Sequence, residues 1–307
     1  MLIILKVYEQ RSNSPTFHLR RVYIIKTKNI INMRISKENN SVKIVTWNIN
    51  SINAHLEQFQ RYLDKDDPDI VLLQEIKCIE ENFPYFHQLE HYNLIVSGQK
   101  GYNGVAILSK YPLEDTVKTF SENPCDDQAR FIETHVSIPS ICNKNLSHYL
   151  KIICVYVPNG SEVGSEKFEL KLQFLQKLKE YLSFIPKDTF VLIGGDFNIA
   201  PFDIDVYSPE DMRGKICFSS QEQKLMREIL NLGFEDTYRL IKYHSKQFSW
   251  WHYKGKFYDL DLGLRIDFLL ANQKLSSKLV AADIYKSTRE QKSSTDHACV
   301  MAEFAMD

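Results

Sequence analysis

Polar residues able to do chemistry stand at the ends of this chain's apolar runs. Asn48 closes "KIVTWN", Glu75 follows "DIVLLQ", Tyr156 lies near the end of "LKIICVYVP", and "TFVLIGG" runs into Asp196-Phe197-Asn198. Towards the C-terminus, Asp267 sits inside "RIDFLLA" and Asp296-His297 precedes "ACVMAEFA". An ionised carboxylate at the lip of a core is costly unless a metal, a donor or a substrate compensates it. Hard oxygen donors without a thiolate or histidine cluster suit Mg²⁺, with Mn²⁺ as its substitute, rather than structural zinc. Glu75 with Asn48 is a sensible pocket for such an ion. An Asp267–His297 pair would fix the imidazole tautomer and stabilise its charged form. A phenol, amides and an imidazolium can stabilise negative charge building on phosphorus. With Asp196 placed to hold or activate a water, the set describes metal-assisted phosphodiester hydrolysis.

Each residue also has a plainer reading. Glu75 alone fits a solvated loop, Asp196-x-Asn198 an Asx-turn, and Asp296-His297 a helix cap with an incidental histidine. Trp250-Trp251 reads first as core. Asp267 is different, because a carboxylate inside an apolar strand requires a buried partner, and His297 is the candidate. Rival chemistries find no support: "GQKGYNG" (98–104) matches neither a dinucleotide nor a P-loop fingerprint, and the chain has no GxSxG or HExxH.

If these residues meet, the last strands must run antiparallel to the earlier ones. Asn48, Glu75, Tyr156 and Asp196 follow their strands, whereas Asp267 and His297 begin theirs. The pattern supplies such strands, at "KIVTWN", "DIVLLQ", "YNLIVSG", "GVAILSK", "RFIETHVSI", "LKIICVYVP", "TFVLIGG", "FSWWHY", "RIDFLLA" and "ACVMAEFA". Helical spacing predicts a helix over 54–65 with Leu56, Phe59 and Leu63 inward, stopped by Pro68, and a long one near 165–184 with Phe168, Leu172, Leu175, Leu178 and Leu182 inward. Ser219 and Glu222 form a capping box for a further helix ending before Gly233. Many strands with few crossover helices imply an α/β protein of packed mixed sheets flanked by helices, not one doubly wound sheet.

The 307 residues are 44% hydrophobic, enough for a large core, and no apolar run approaches the ~18 residues of a membrane span. The six cysteines are irregularly spaced, which suits reduced thiols in the cytoplasm. Residues 1–40 hold eight Lys/Arg and two Asp/Glu, so they carry +6, leaving −7 on the remainder of a chain whose total is −1. They read as a dispensable basic extension, with Met33 as an alternative start, and residues 41–307 as a single domain that nothing requires to be more than a monomer. Asn145 heads a glycosylation acceptor that has no meaning without a secretory signal.

In order, "VTWNIN", "DIVLLQEIKC", "GQKGYNGVAILSK", "VYVPNG", "IGGDFNIAP", "FSWWHY", "GLRIDFLLA" and "STDHACV" resemble the exonuclease III family of apurinic/apyrimidinic endonucleases, within the endonuclease/exonuclease/phosphatase superfamily. The resemblance runs from about Val42 to the C-terminus. It implies a four-layered α/β sandwich of two mixed β-sheets, deoxyribonuclease I-like, and Mg²⁺-dependent incision of duplex DNA 5′ to abasic sites, with 3′→5′ exonuclease and 3′-phosphatase side activities. Asn48 and Glu75 then resemble the metal pair, with Asp196, Asn198, Asp296 and His297 as further candidate ligands. Asp196 resembles the residue acting on the attacking water, Asn198 one placing water and phosphate, Tyr156 a contact to the scissile phosphate, and Asp267 and His297 the paired acid and histidine. Asn159 and Lys167 resemble substrate contacts, and Trp250, Leu264 and Ile266 the walls of an apolar slot for a base-less sugar, with strand packing as the alternative for the last two. Ser51-Ile52-Asn53 replaces the family's Gly-Leu-Arg, which removes one DNA-phosphate contact. The same chemistry would serve an inositol polyphosphate phosphatase or a sphingomyelinase. A catalytically silent DNA-binding module would have lost Glu75, Asp196, Asp267 or His297, all of which are present.

Overall fold

The computed structural model describes residues 41–139, 147–289 and 294–306. The expectations for residues 1–40, Met33, Cys142 and Asn145 lie outside the described residues. The first strands are β1 (Ser41–Asn48), β2 (Ile70–Gln74), β3 (Asn93–Ser97), β4 (Val105–Ser109), β5 (Leu113–Val117), β6 (Phe131–Pro139), β7 (Ser147–Tyr156) and β8 (Phe190–Asp196). Then come β9 (Phe234–Asp236), β10 (Trp250–Trp251), β11 (Gly263–Leu264), β12 (Asp267–Asn272), β13 (Leu279–Tyr285) and β14 (Cys299–Ala305). They form two six-stranded sheets, ordered β13-β14-β1-β2-β4-β3 and β5-β6-β7-β8-β12-β9, with β10 and β11 paired separately.

Each sheet is mixed in the same way. β1 and β2 are parallel, as are β7 and β8, and every other pairing is antiparallel. A parallel pair needs a crossover. The helix α1 (Leu56–Asp66) makes the first and α2 (Glu166–Ser183) the second. Alternate side chains then sort into layers. Ile44, Leu72, Ile107 and Val300 of one sheet meet Ile132, Ile152, Leu192 and Leu269 of the other in the central core. On the outer faces Val45, Val71 and Leu73 pack with Phe59 and Leu63 of α1. Ile153, Val191, Ile193 and Phe268 pack with Phe174, Leu175 and Leu178 of α2. The result is four layers, helix–sheet–sheet–helix.

The glycine pair ahead of Asp196 has a steric cause. A Cβ on Gly194 would stand 2.6 Å from Leu72 Cδ1 of the opposite sheet and 2.6 Å from Leu269 Cδ2. One on Gly195 would stand 1.8 Å from the Val155 carbonyl oxygen. Only glycine lets β8 lie this close to its neighbours.

Two sequence expectations are adjusted. On α2 the buried stripe is Phe168, Lys171, Leu175, Leu178 and Leu182 with Phe174, while Leu172 is only half-buried, because a lysine occupies a core-facing position. Of "FSWWHY", only Trp250 and Trp251 form strand. Its backbone bonds are divided: Ser249 N–H donates to Leu264 O at 2.9 Å, while Ser249 O accepts from Ala298 N–H at 2.7 Å. The segment thereby ties the approach to β12 in one sheet to the approach to β14 in the other.

Candidate active site

Register brings the polar residues to one rim. Asn48 lies beside Gln74, the residue before Glu75, in the parallel pair β1–β2. Tyr156 lies beside Asp196, which in turn faces Asp267 across the antiparallel β8–β12 pair. His297 is bridged to Trp250 just before β14. Asn48, Tyr156, Asp196, Asn198, Asp267 and His297 are all buried.

The hydrogen bonds form one network. Asn48 Nδ2 donates to Glu75 Oε1 and to Asp196 Oδ2, each at 2.9 Å, while its Oδ1 accepts the Asn50 N–H at 3.0 Å. Tyr156 Oη donates to Glu75 Oε1 at 2.9 Å. Asp196 Oδ1 accepts the Asn198 N–H at 2.8 Å. Asn198 is left-handed (φ 52°), which turns its side chain back so that Nδ2 reaches Val157 O at 3.0 Å and Asp196 Oδ2 at 3.3 Å. Asn159 Nδ2 then donates to Asn198 Oδ1 at 3.0 Å. His297 Nδ1 is 2.9 Å from Asp267 Oδ2, and its Nε2 points towards Asp196 Oδ2 at 3.9 Å. Asp267 is held by Ser249, whose Oγ donates to Oδ2 at 2.6 Å and accepts the Asp267 N–H at 3.0 Å.

Burial and charge set the protonation states. Burial would lower His297, but Asp267, with help from Asp296 and Asp196, raises it to about 10. Burial and the Asp267 charge push the Asp196 carboxyl up to about 7, against the pull of His297 and Asn48. Burial also opposes ionisation of Glu75, yet Asn48, Lys77 and His297 hold it below the usual value. Burial, Glu75 and Asp196 push the Tyr156 phenol well up, so it is a donor at neutral pH.

The donor set fits a hard divalent cation. Glu75, Asp196 and His297 each present a ligand atom within 4.8 Å of the others. A protonated imidazole has no lone pair to give, so Glu75 and Asp196 are the better ligands and His297 faces the site as a donor. Asn48 would ligate only through Oδ1, now taken by Asn50. Asp296 stands apart from this cluster: Oδ1 accepts from Asn50 Nδ2 and Oδ2 from Trp250 Nε1, each at 2.9 Å.

The rim residues Glu75, Tyr156, Asp196, Asn198 and His297 themselves line a cavity of about 440 Å³, whose apolar wall includes Met212, Trp250, Phe257, Leu262, Leu264 and Ile266. Leu264 and Ile266 pack with Val206, Cys217 and Phe218 in a cluster separate from the three layer-filling cores. Trp251 is core, whereas Trp250 is half-buried at the mouth. Lys167 is exposed in the first turn of α2 and does not line the cavity. Sequence reasoning missed Asn50, Lys77 and Arg130. Lys77 bonds Asn50 and lies 2.9 Å from Glu75 Oε2, and Arg130 stacks 4.6 Å from the Tyr156 ring centroid. Only their place within the quoted motifs could have flagged the first two.

Two mixed sheets closing on a carboxylate–imidazole rim define the endonuclease/exonuclease/phosphatase class, and the family model of that description matches residues 45–297. The chain is 32% identical to exodeoxyribonuclease III of Haemophilus influenzae, over 86% of this chain and 100% of that one. Among solved structures it superposes on a Neisseria 3′-phosphatase bound to a product DNA hairpin (TM-score 0.80, 35% identity, 86% of this chain and 100% of that one). It also superposes on an AP endonuclease from Archaeoglobus fulgidus (TM-score 0.79, 31% identity, 86% and 100%). The chain belongs to the exonuclease III/AP endonuclease family, as a metal-dependent phosphodiesterase and DNA-repair nuclease.

Proposed function

We propose that this protein incises duplex DNA on the 5′ side of abasic sites in a Mg²⁺-dependent reaction, leaving a 3′-hydroxyl, and that it also trims 3′ ends as a 3′→5′ exonuclease and 3′-phosphatase. The observation that carries this reading is the apolar wall of Met212, Trp250, Leu264 and Ile266 that shares one cavity with the Asp196–His297 rim. A nucleotide without its base costs least to extrude, and a small apolar slot admits a bare sugar while offering a base few partners. The likeness to the Neisseria 3′-phosphatase supports the end-processing activities.

Asp196 acts as the base that takes the proton of the attacking water. Its carboxylate is aimed by the Asn198 N–H on Oδ1 and by Asn48 on Oδ2. His297, charged and held by Asp267, donates from Nε2 to a phosphate oxygen as negative charge builds there. Tyr156 and Asn159 donate to the same phosphate, with Asn198 fixing water and phosphate together. Trp250, Leu264 and Ile266 seat the sugar. Glu75 and Asp196 would hold Mg²⁺, with Mn²⁺ as substitute, and such an ion would supply positive charge to offset the charge of the phosphate. Residues 41–307 would carry this chemistry, and removing residues 1–40 is expected to leave the rate unchanged.

The test uses a labelled duplex carrying one tetrahydrofuran abasic analogue, with Mg²⁺ or EDTA, beside an intact duplex and a 3′-phosphate primer. Metal-dependent cutting next to the analogue is expected. An analogue duplex that survives both Mg²⁺ and Mn²⁺ would sink the abasic reading.

A further inference from the structure

Behind the rim, Lys171 of α2 and Glu222 form an ion pair with both side chains wholly buried. Glu222 belongs to α4 (Ser220–Leu230), the helix that follows the short α3 (Pro209–Met212). Neither side chain lines the cavity. All three Lys171 protons have acceptors: the Asn159 carbonyl at 3.1 Å, the Asn198 carbonyl at 2.8 Å, and Glu222 Oε1. The carboxylate in turn collects the Cys217 N–H at 3.1 Å on Oε1, and the Ser219 N–H at 2.9 Å and Ser219 Oγ at 2.6 Å on Oε2. One buried point therefore ties the loops after β7 and β8 to the cavity-lining turn at Cys217.

The charge–charge attraction alone does not account for this choice of residues. A buried ion pair can often be replaced by well-packed apolar side chains at no loss. What an apolar pair cannot do is direct three donors onto two loop carbonyls and a carboxylate. The surroundings are shaped to admit the lysine: Gly160 is left-handed (φ 88°), and a Cβ there would stand 2.9 Å from Lys171 Cδ. Beyond the carbonyls the path continues through Asn159 Nδ2 to Asn198 Oδ1, and from Asn198 Nδ2 to Asp196 Oδ2.

We propose that Lys171 and Glu222 are positioning residues, which set the register of Asn159 and Asn198 against Asp196 and so tune the chemical step without touching substrate. The inference rests on the function proposed above, so wild-type incision of the tetrahydrofuran duplex is its reference. If the wild type does not cut, the abasic reading fails, and the same ratios are read on the 3′-phosphate primer.

The test is a cycle between the double variant Lys171→Met/Glu222→Leu and Asn198→Ala, by single-turnover and steady-state kinetics with Mg²⁺. The double variant leaves two carbonyls and three donors without partners, so it is expected to melt below wild type yet fold, keep its KM, and lose about 10²-fold in kcat, the scale of a misplacement near 1 Å. Adding Asn198→Ala to it is expected to cost less than about 3-fold, because the residue's alignment is already lost, against a much larger cost in the wild-type background. Wild-type kcat in a folded double variant, or an equal Asn198→Ala cost in both backgrounds, overturns the proposal. Should the double variant not fold, Glu222→Gln keeps the volume but gives Oε2 up as acceptor of both Ser219 donors. It is expected to lose about 10-fold in kcat at constant KM, and an unchanged kcat there overturns the proposal equally.

Discussion

Replacing Asp267 with Asn separates the two services this carboxylate performs for His297. Asp267 is the main reason the imidazole stays charged in a buried position, raising it from an ordinary 6.5 to about 10. That difference corresponds to about 5 kcal/mol of preference for the imidazolium. An amide at 267 removes both the charge and the charge-assisted bond, so the imidazole falls well below its wild-type value, with only Asp296 and Asp196 left to oppose burial. The charged form exists below the pKa and is lost as pH rises through it, so the wild type keeps its imidazolium through neutral and mildly alkaline pH, whereas the variant loses it at lower pH. A second loss, from misorientation of the ring, is independent of pH.

Single-turnover incision of the tetrahydrofuran duplex from pH 5.5 to 9 reads both effects. Asp267 also raises Asp196, so the base titrates differently in the two enzymes at acid pH. Above neutrality, where Asp196 is ionised in both, the ratio of wild-type to variant rate is expected to climb with pH as the variant sheds its imidazolium. A ratio flat across the whole range would refute the role of His297 as a charged donor, whatever its absolute size.

Asp196→Ala and His297→Ala are each expected to cost about 10³-fold or more in kcat while duplex binding, measured by fluorescence anisotropy, survives, since both act mainly in the transition state. Turnover retained in both would remove their assigned roles. Ser249→Ala strips Asp267 of a donor and leaves the Ile266 and Asp267 N–H groups without their acceptor. Urea titration should show a loss of about 2–3 kcal/mol, and a stability equal to wild type would contradict this bonding. Gly195→Ala should give little folded protein, because its Cβ would meet the Val155 oxygen at 1.8 Å. A soluble variant with the wild-type melting point refutes that packing. The five described cysteines are buried, and burial pushes Cys78 up to about 11 and Cys154 and Cys217 to about 12. Iodoacetamide at pH 8 should leave them unmodified until urea unfolds the chain, and mass spectrometry showing rapid native labelling of Cys154 would contradict it.

Much of the fold was legible because its central strands are nearly continuous apolar runs: β2 is buried at every position, as "DIVLLQ" implied. Of the strands that the pattern missed, β5, β9 and β13 are sheet edges, and β11 is a two-residue strand paired only with β10. An edge strand has one neighbour and more solvent, so β5 is largely exposed and β13 only partly buried, and neither gives a clear periodic signal. Lys171 was missed for a different reason. A lysine on the inward face of a helix contradicts the hydrophobic pattern unless its acceptors are known, and these are carbonyls 12 and 27 residues away plus a carboxylate 51 residues away.

The meeting of the polar residues follows from the way both sheets are made. Each is built on a parallel pair joined through an outer helix, which places the C-terminal ends of both strands on one edge: Asn48 with Glu75 in one sheet, Tyr156 with Asp196 in the other. Each pair then receives an antiparallel partner from the last third of the chain, and such a strand must begin where the pair ends. β12 begins there with Asp267, and the segment entering β14 brings His297. Ser249 bonds the approaches to both strands, to Leu264 on one side and Ala298 on the other, and its hydroxyl holds Asp267. The carboxylate and the imidazole thus come from different sheets, and their 2.9 Å contact requires the sheets to be seated on each other. Gly194, against Leu72 of the opposite sheet, is one of the residues that permits that seating. A substitution in the inter-sheet core that shifts one sheet by a fraction of an ångström should therefore register first as lost turnover, before the melting temperature moves.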